Sequence, residues 1–417
     1  MLIKQKRLLE NFLSLSVLQA LNMVLPLLTF PYIVRVIGVD YFGVLNLVLS
    51  ILMLFNIFIA FGFELSATKM ISTNRNDINK VSEMFFSILY SKFLLLVVSI
   101  LIFLLLFQNI NYISENILLF YMTSGLLIGN LLFPTWFFQG IEQMKYITII
   151  TAVIKVISTI SIFVFITEKN DYLLLPLINS IAAIISGLIA IYFAIKKFKL
   201  IFYKPNFYQI KEQLKSSFHF FLSCVANQGS RHLAITLVGA NFGNITTGYY
   251  TIADKLYMAI ISLVGVVSQT IYPYMSAEKN LILFKKIFKF VMTVTCLVLI
   301  PVFYYNEELL YLIFNLKNQV LSDIFMIFMI SVPLGIISQL IGFPLLAAFG
   351  FSAYANNSLI YSAVIYIIAL IFVTLYLNQI LFIAYCSLLF RFTQLSFRLF
   401  YIKKTGLLSL LLKKENE

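Results

Sequence analysis

The sequence predicts an all-α polytopic membrane protein with twelve transmembrane helices in two pseudo-symmetric six-helix bundles. Three observations lead there. Of 417 residues, 61% are hydrophobic and 11% charged, against roughly 45–50% and about 25% in a soluble globular chain. Apolar runs long enough to cross a bilayer recur along the whole chain. Lys and Arg gather in alternate connecting loops.

A bilayer core needs roughly 20 apolar residues per helix. Such runs cover 12–34, 42–64, 84–107, 116–138, 147–167, 172–195, 217–240, 247–274, 285–305, 322–348, 355–376 and 379–401. Leu309–Phe314 is a candidate short extra helix between the ninth and tenth. Lys4-Gln5-Lys6-Arg7 before the first run resembles the start of a signal peptide. That run, however, continues to Val34 without a small-residue cleavage site and reads as a retained span.

With the N-terminus in the cytoplasm, 21 Lys and Arg fall in cytoplasmic segments and six within spans. Only Arg35, Lys169 and Lys317 fall outside. This is the bias that the positive-inside rule predicts. It places both termini in the cytoplasm and accounts for a net charge of +13 with the lipid bilayer as partner and no nucleic acid. The longest connection, 196–216, is a basic cytoplasmic linker between an N-terminal bundle, 1–195, and a C-terminal bundle, 217–417. Cys224, Cys296 and Cys386 lie in apolar runs and read as small core residues.

The halves show self-similarity. Phe133-Pro134 to Gly140 and Phe343-Pro344 to Gly350 both read F-P-x5-G, 210 residues apart. Phe12 matches Phe218 at 206 and Gly43 matches Gly248 at 205. Six spans per repeat make the repeats parallel, as in transporters that rock two halves alternately. Pro26, Pro31, Pro134, Pro273, Pro333 and Pro344 fall within spans. Proline bends helices, although membrane helices also tolerate it.

An ionisable side chain at the bilayer centre costs at least about 2.5–3.5 kcal/mol and usually faces protein or a wet cavity. Lys92, Lys155, Arg231, Lys255 and Arg391 lie well inside spans; Arg35 and Arg398 lie near span ends. The competing acids are Glu64 and Asp254. A net cationic interior suits an anion, and the arginine fork suits phosphate. Arg231, Lys255, Lys155, Arg35, Lys92 and Arg391 are therefore the candidate substrate-binding cations, with snorkelling as the alternative for Arg35, Lys92 and Lys155. Asn227-Gln228-Gly229-Ser230-Arg231-His232 is the densest polar run. Asn227, Gln228 and His232, with Gln19 and Asn22 on one face of the first span, are candidates for cavity lining or for interhelical hydrogen bonding. Asp254 reads either as an ion-coupling site or as a buried salt-bridge partner of Arg231. Glu64 is a second candidate for ion coupling.

Other chemistry is missing. Two histidines and dispersed cysteines make no metal-site spacing. There is no GxxxxGK[ST] phosphate loop and no GxSxG elbow. No cofactor is expected, and transport would draw on a substrate gradient, a proton or sodium gradient, or a partner.

Four segments carry a family resemblance: Phe30-Pro31-Tyr32 through Arg35 to Gly38 with Tyr41-Phe42-Gly43; Phe61-Gly62-Phe63-Glu64-Leu65-Ser66-Ala67-Thr68; Pro134 through Trp136-Phe137-Phe138-Gln139-Gly140 with Met144-Lys145-Tyr146; and Gly248-Tyr249-Tyr250 through Ala253-Asp254-Lys255. In order and spacing the chain resembles the Wzx O-antigen flippases of the polysaccharide transporter family, part of the larger group that holds the MATE drug exporters and the lipid II flippase. The resemblance implies two bundles around a central cationic cavity in a bacterial inner membrane. It implies as substrate an undecaprenyl-diphosphate-linked oligosaccharide, flipped to the periplasmic leaflet, with an O-antigen polymerase and a chain-length regulator as partners. The chain departs from the family pattern at Glu64, where asparagine is expected. A MATE-type exporter of organic cations would want acids in the cavity. A lipid II flippase would want two further helices, and a membrane-bound O-antigen polymerase would want a large outer loop.

Overall fold

In hydrocarbon an apolar run satisfies its backbone polar groups by bonding them internally, as helix. The computed structural model describes residues 2–107 and 110–412, and 90% of the described residues are helical, with no strand among them. The side chains of Lys4, Lys6, Arg7 and Phe12, and the whole of Lys413 and Lys414, lie outside the described residues. The chain forms two compact units, Met1–Leu233 and Ala234–Glu417.

The N-terminal unit contains α1 (Leu2–Ala60), α2 (Phe63–Asn74), α3 (Ile78–Ile102), α4 (Asn111–Glu115), α5 (Ile117–Leu132), α6 (Thr135–Gly140), α7 (Met144–Phe165), α8 (Leu174–Lys197) and α9 (Phe207–Cys224), which runs through a π stretch (Val225–Gly229) into the start of α10 (Ser230–Glu278). The rest of α10 belongs to the C-terminal unit. That unit continues with α11 (Leu281–Tyr304), α12 (Asn306–Phe314), α13 (Gln319–Leu340), α14 (Ser352–Phe372), α15 (Ile380–Lys404) and α16 (Leu407–Leu412).

Ten helical segments of the described residues are long and apolar enough to cross a membrane, against twelve expected runs. The difference arises at two places. The first and second runs lie in one continuous segment, Ser16–Asn74, of 59 residues, and the seventh and eighth in another, Phe207–Glu278, of 72 residues. Each is interrupted by a glycine outside the helical region: Gly38 at φ 81, ψ 164 and Gly243 at φ 79, ψ 179. Only glycine adopts this backbone without strain. The two glycines are 205 residues apart, the same offset that relates Gly43 to Gly248.

The copies of F-P-x5-G behave differently. Pro134 has no N–H, and Phe133 before it is extended, at φ -86, ψ 102, as pre-proline residues prefer, so the expected run 116–138 is broken between α5 and α6. Phe343 and Pro344 instead sit inside a π stretch, Ile341–Ala347, that prolongs α13. Leu309–Phe314 falls within α12, a short helix of its own.

Small residues set the tightest packing in the N-terminal unit. A Cβ on Gly129 of α5 would lie 2.4 Å from the Ala183 carbonyl carbon of α8, one on Gly125 2.6 Å from Ser180 Cβ, and one on Gly187 2.8 Å from the Gly129 carbonyl oxygen. Without a hydrophobic drive between helices in lipid, such close approach supplies the contact energy. An aromatic core of Phe63, Phe85, Trp136, Phe137 and Phe138 joins α2, α3 and α6, with Ala190 and Ala194 of α8 beside it.

The connections of this unit sort to two ends. At one end Arg75 pairs with Glu142 at 2.6 Å, the Ile201 N–H donates to Ser82 Oγ at 3.0 Å, and Gln209 Nε2 donates to Glu83 Oε1 at 2.5 Å. At the other end Tyr41 stacks on Tyr172 at 4.1 Å and Lys169 Nζ lies 5.2 Å from the Tyr41 ring centre.

Candidate functional site

The basic side chains inside the spans are held in different ways. Lys92, on α3, is buried and donates to the carbonyls of Asn130 at 2.8 Å and Leu131 at 3.3 Å. The break at Pro134 explains this. In a continuous helix the N–H of residue 134 would bond the Asn130 carbonyl and that of Thr135 the Leu131 carbonyl. Proline has no N–H, and the Thr135 N–H turns to the Phe133 carbonyl at 3.0 Å. Lys92 takes over both orphaned acceptors. Around it Asn130 Nδ2 donates to Asn56 Oδ1 at 3.3 Å and Thr135 Oγ1 to Glu64 Oε1 at 3.5 Å. Glu64 itself lies exposed in the first turn of α2, where the helix dipole favours an acid.

Lys155, half-buried on α7, donates to Asn22 Oδ1 on α1 at 2.5 Å, so two of the candidate residues meet. Gln19 lies on α1 one turn before Asn22. Asn227 and Gln228 are exposed on the π stretch that joins α9 to α10. Arg231 and His232 follow, half-buried, with His232 Nδ1 3.4 Å from Ser50 Oγ of α1. Arg35 is exposed on α1, one turn before Gly38.

In the C-terminal unit Asp254 is buried on α10, between the buried tyrosines Tyr250 and Tyr257. Tyr250 Oη lies 2.9 Å and Tyr366 Oη 3.2 Å from Ser387 Oγ of α15. One turn along α15, the Arg391 guanidinium lies 5.1 Å from the Tyr257 ring centre and 4.8 Å from that of Phe390, within the range of a cation–π contact. Lys255 is half-buried on α10. Tyr257 thus has an acid one turn before it on α10 and a guanidinium from α15 over its ring.

Residues 8–279 match the family described as "Polysaccharide biosynthesis protein". The chain belongs to that family. A protein named "Putative O-antigen transporter" from Escherichia coli (strain K12) is 28% identical over 297 residues, which is 70% of each chain. Among solved structures, an inward-facing multidrug resistance MATE family transporter of the MOP superfamily superposes with a TM-score of 0.69 at 12% identity, covering 97% of this chain and 99% of that one. The lipid II flippase MurJ superposes with a TM-score of 0.68 at 14% identity, covering 95% of this chain and 87% of that one. This polysaccharide biosynthesis family member therefore has a MATE-like fold.

Arg398, near the end of an apolar run, is not among the candidate cations read from the sequence. In this family member it is buried, with Nε donating to Ser358 Oγ at 3.1 Å and Nη1 to Ser338 Oγ at 3.1 Å and to the Ser338 carbonyl. Gly342 makes the room: a Cβ there would lie 2.6 Å from Nη1. The buried tyrosines that flank Asp254 on α10 were also passed over. Their spacing was a usable sign, because Tyr250, Asp254 and Tyr257 fall at i, i+4 and i+7 on one helical face.

Proposed function

We propose that this protein is a flippase that moves undecaprenyl-diphosphate-linked oligosaccharide repeat units from the cytoplasmic to the periplasmic leaflet of a bacterial inner membrane by alternating access. The observation that carries the reading is the excess of basic side chains held within apolar spans of both units, in a chain of a polysaccharide biosynthesis family. A pyrophosphate linkage is the anionic part of such a substrate. Arg231, Lys155 and Lys255 are proposed to meet it, because charge pairing is strong where the dielectric is low and the arginine fork suits phosphate. The name of the 28%-identical relative, an O-antigen transporter, supports the same substrate class.

Twelve crossings are proposed in place of ten. The 59- and 72-residue segments would be roughly 90 and 110 Å long at 1.5 Å per residue, while a bilayer core is about 30 Å thick. Counting two crossings in each, on either side of Gly38 and Gly243, gives six per half, with both termini cytoplasmic by the positive-inside rule. The halves 1–195 and 217–417 joined by the linker 196–216 are proposed on the same ground. Asp254 and Glu64 are the proposed groups for coupling to a proton or sodium gradient. An O-antigen polymerase and a chain-length regulator are the proposed partners, and the protein itself makes and breaks no covalent bond.

The test is deletion of the gene, followed by mass spectrometry of the lipid extract. Undecaprenyl-diphosphate-linked single repeat units should accumulate, accessible only from the cytoplasmic leaflet, and disappear on complementation. An unchanged lipid pool with normal surface polysaccharide would remove the reading. Accumulation of repeat units on the periplasmic side would favour a polymerase instead.

A further inference from the structure

The connection between α8 and α9 holds more than a linker needs. Between Lys196 and Lys215 there are six lysines, Lys196, Lys197, Lys199, Lys204, Lys211 and Lys215, against the single acid Glu212. All six are exposed. In the same stretch Ile201 is 54%, Phe202 69%, Phe207 75% and Tyr208 72% exposed. Within a span, exposed apolar side chains meet acyl chains and need no further account. Ile201 and Phe202 fall between the segments that end at Lys197 and begin at Phe207, so hydrocarbon around those segments does not explain them.

The stretch is also tied down. Leu200 is buried in the aromatic core of the N-terminal unit, and Tyr203 and Leu214 pack against that core. Ser82 accepts from the Ile201 N–H at 3.0 Å, and Gln209 donates to Glu83 Oε1 at 2.5 Å and to Tyr203 Oη at 2.6 Å. Asn206 caps α9 through a reciprocal bond with Gln209. A segment fixed in this way, yet presenting two large apolar side chains and six cations, has the chemistry of a surface that lies in the headgroup layer. Apolar groups enter the upper acyl region and lysines reach back to phosphate.

We propose that Lys196–Lys215 is a docking surface for anionic phospholipid, with Ile201, Phe202, Phe207 and Tyr208 seated among the chains and the lysines on the headgroup phosphates. Charge complementarity selects anionic over zwitterionic lipid. A juxtamembrane lysine contributes enough near an anionic surface to multiply affinity several-fold. The proposal needs only that the chain spans a membrane, and it stands apart from the identity of the transported substrate.

The experiment uses the full chain in nanodiscs of phosphatidylcholine with graded phosphatidylglycerol. A Phe202→Trp variant reports on seating, since the protein's one other indole, Trp136, is buried. Brominated phosphatidylglycerol should quench the new indole more than brominated phosphatidylcholine does, and about 0.5 M NaCl should abolish the difference by screening. Lys199→Gln/Lys204→Gln/Lys211→Gln/Lys215→Gln should lower retained phosphatidylglycerol, counted by native mass spectrometry, about tenfold or more. Lys279→Gln/Lys286→Gln/Lys289→Gln, which removes exposed charge elsewhere, should lower it by a clearly smaller factor. Equal quenching by the two brominated lipids, or equal loss from both lysine sets, would overturn the proposal. No quenching at all would assign the surface to a protein partner.

Discussion

Lys92 brings a charge into an apolar unit, and the reason lies 42 residues further along the chain. Pro134 leaves the carbonyls of Asn130 and Leu131 without their helical donors, and Lys92 supplies the replacement. An unmet buried acceptor costs about 1–3 kcal/mol. Lys92→Met is therefore expected to lower stability by about that amount, read as a drop in the thermal melting midpoint in detergent. Adding Pro134→Ala should recover part of the loss, since alanine restores an N–H; strictly additive losses would count against the account. Arg398 invites a similar test. Gly342→Ala would press a methyl group against a guanidinium already held by Ser338 and Ser358, and should destabilise more than Gly265→Ala, where the nearest atom is Gln339 Nε2 at 3.1 Å. The sequence showed that these cations lie inside spans. It did not show what each one touches, because a partner 40 residues away in the chain leaves no local periodic mark.

Among the elements, the two long segments were legible as pairs of apolar runs but not as helices that meet at a single glycine. A hydropathy gap of a few residues looks like a loop, and only the backbone shows that one glycine suffices to redirect the chain. Gly38→Ala and Gly243→Ala are each expected to cost about 1–3 kcal/mol, because φ near 80 with extended ψ is almost closed to a residue with a Cβ. The melting midpoint measures this, and similar losses at both positions would be a functional echo of their 205-residue offset. Gly129→Leu should be more severe, preventing close packing of α5 on α8; loss of the monodisperse peak in size-exclusion chromatography is the expected result. The F-P-x5-G match was visible in sequence. Its two outcomes, a helix break at Pro134 and a π stretch around Pro344, were not, since the same proline acts differently according to which neighbours donate to the released carbonyls.

At the scale of the molecule, membrane class, helical fold and family could be read from composition, from the charge alternation of the loops and from the quoted motifs. Within the N-terminal unit Arg75 pairs with Glu142 and Tyr41 stacks on Tyr172. The candidate site was legible only as a set of residue types. Lys155 meets Asn22, and Arg391 lies over the Tyr257 ring, while Lys92 serves backbone carbonyls. Membrane-embedded cations are proposed to receive a lipid-linked pyrophosphate. The most direct test places Arg231→Ala/Lys155→Ala/Lys255→Ala in a deletion strain, at matched protein level, and measures surface polysaccharide together with the lipid-linked repeat unit. Loss of the polymer and accumulation of the repeat unit in the cytoplasmic leaflet are expected. Full restoration of the polymer by the triple variant would contradict the proposal.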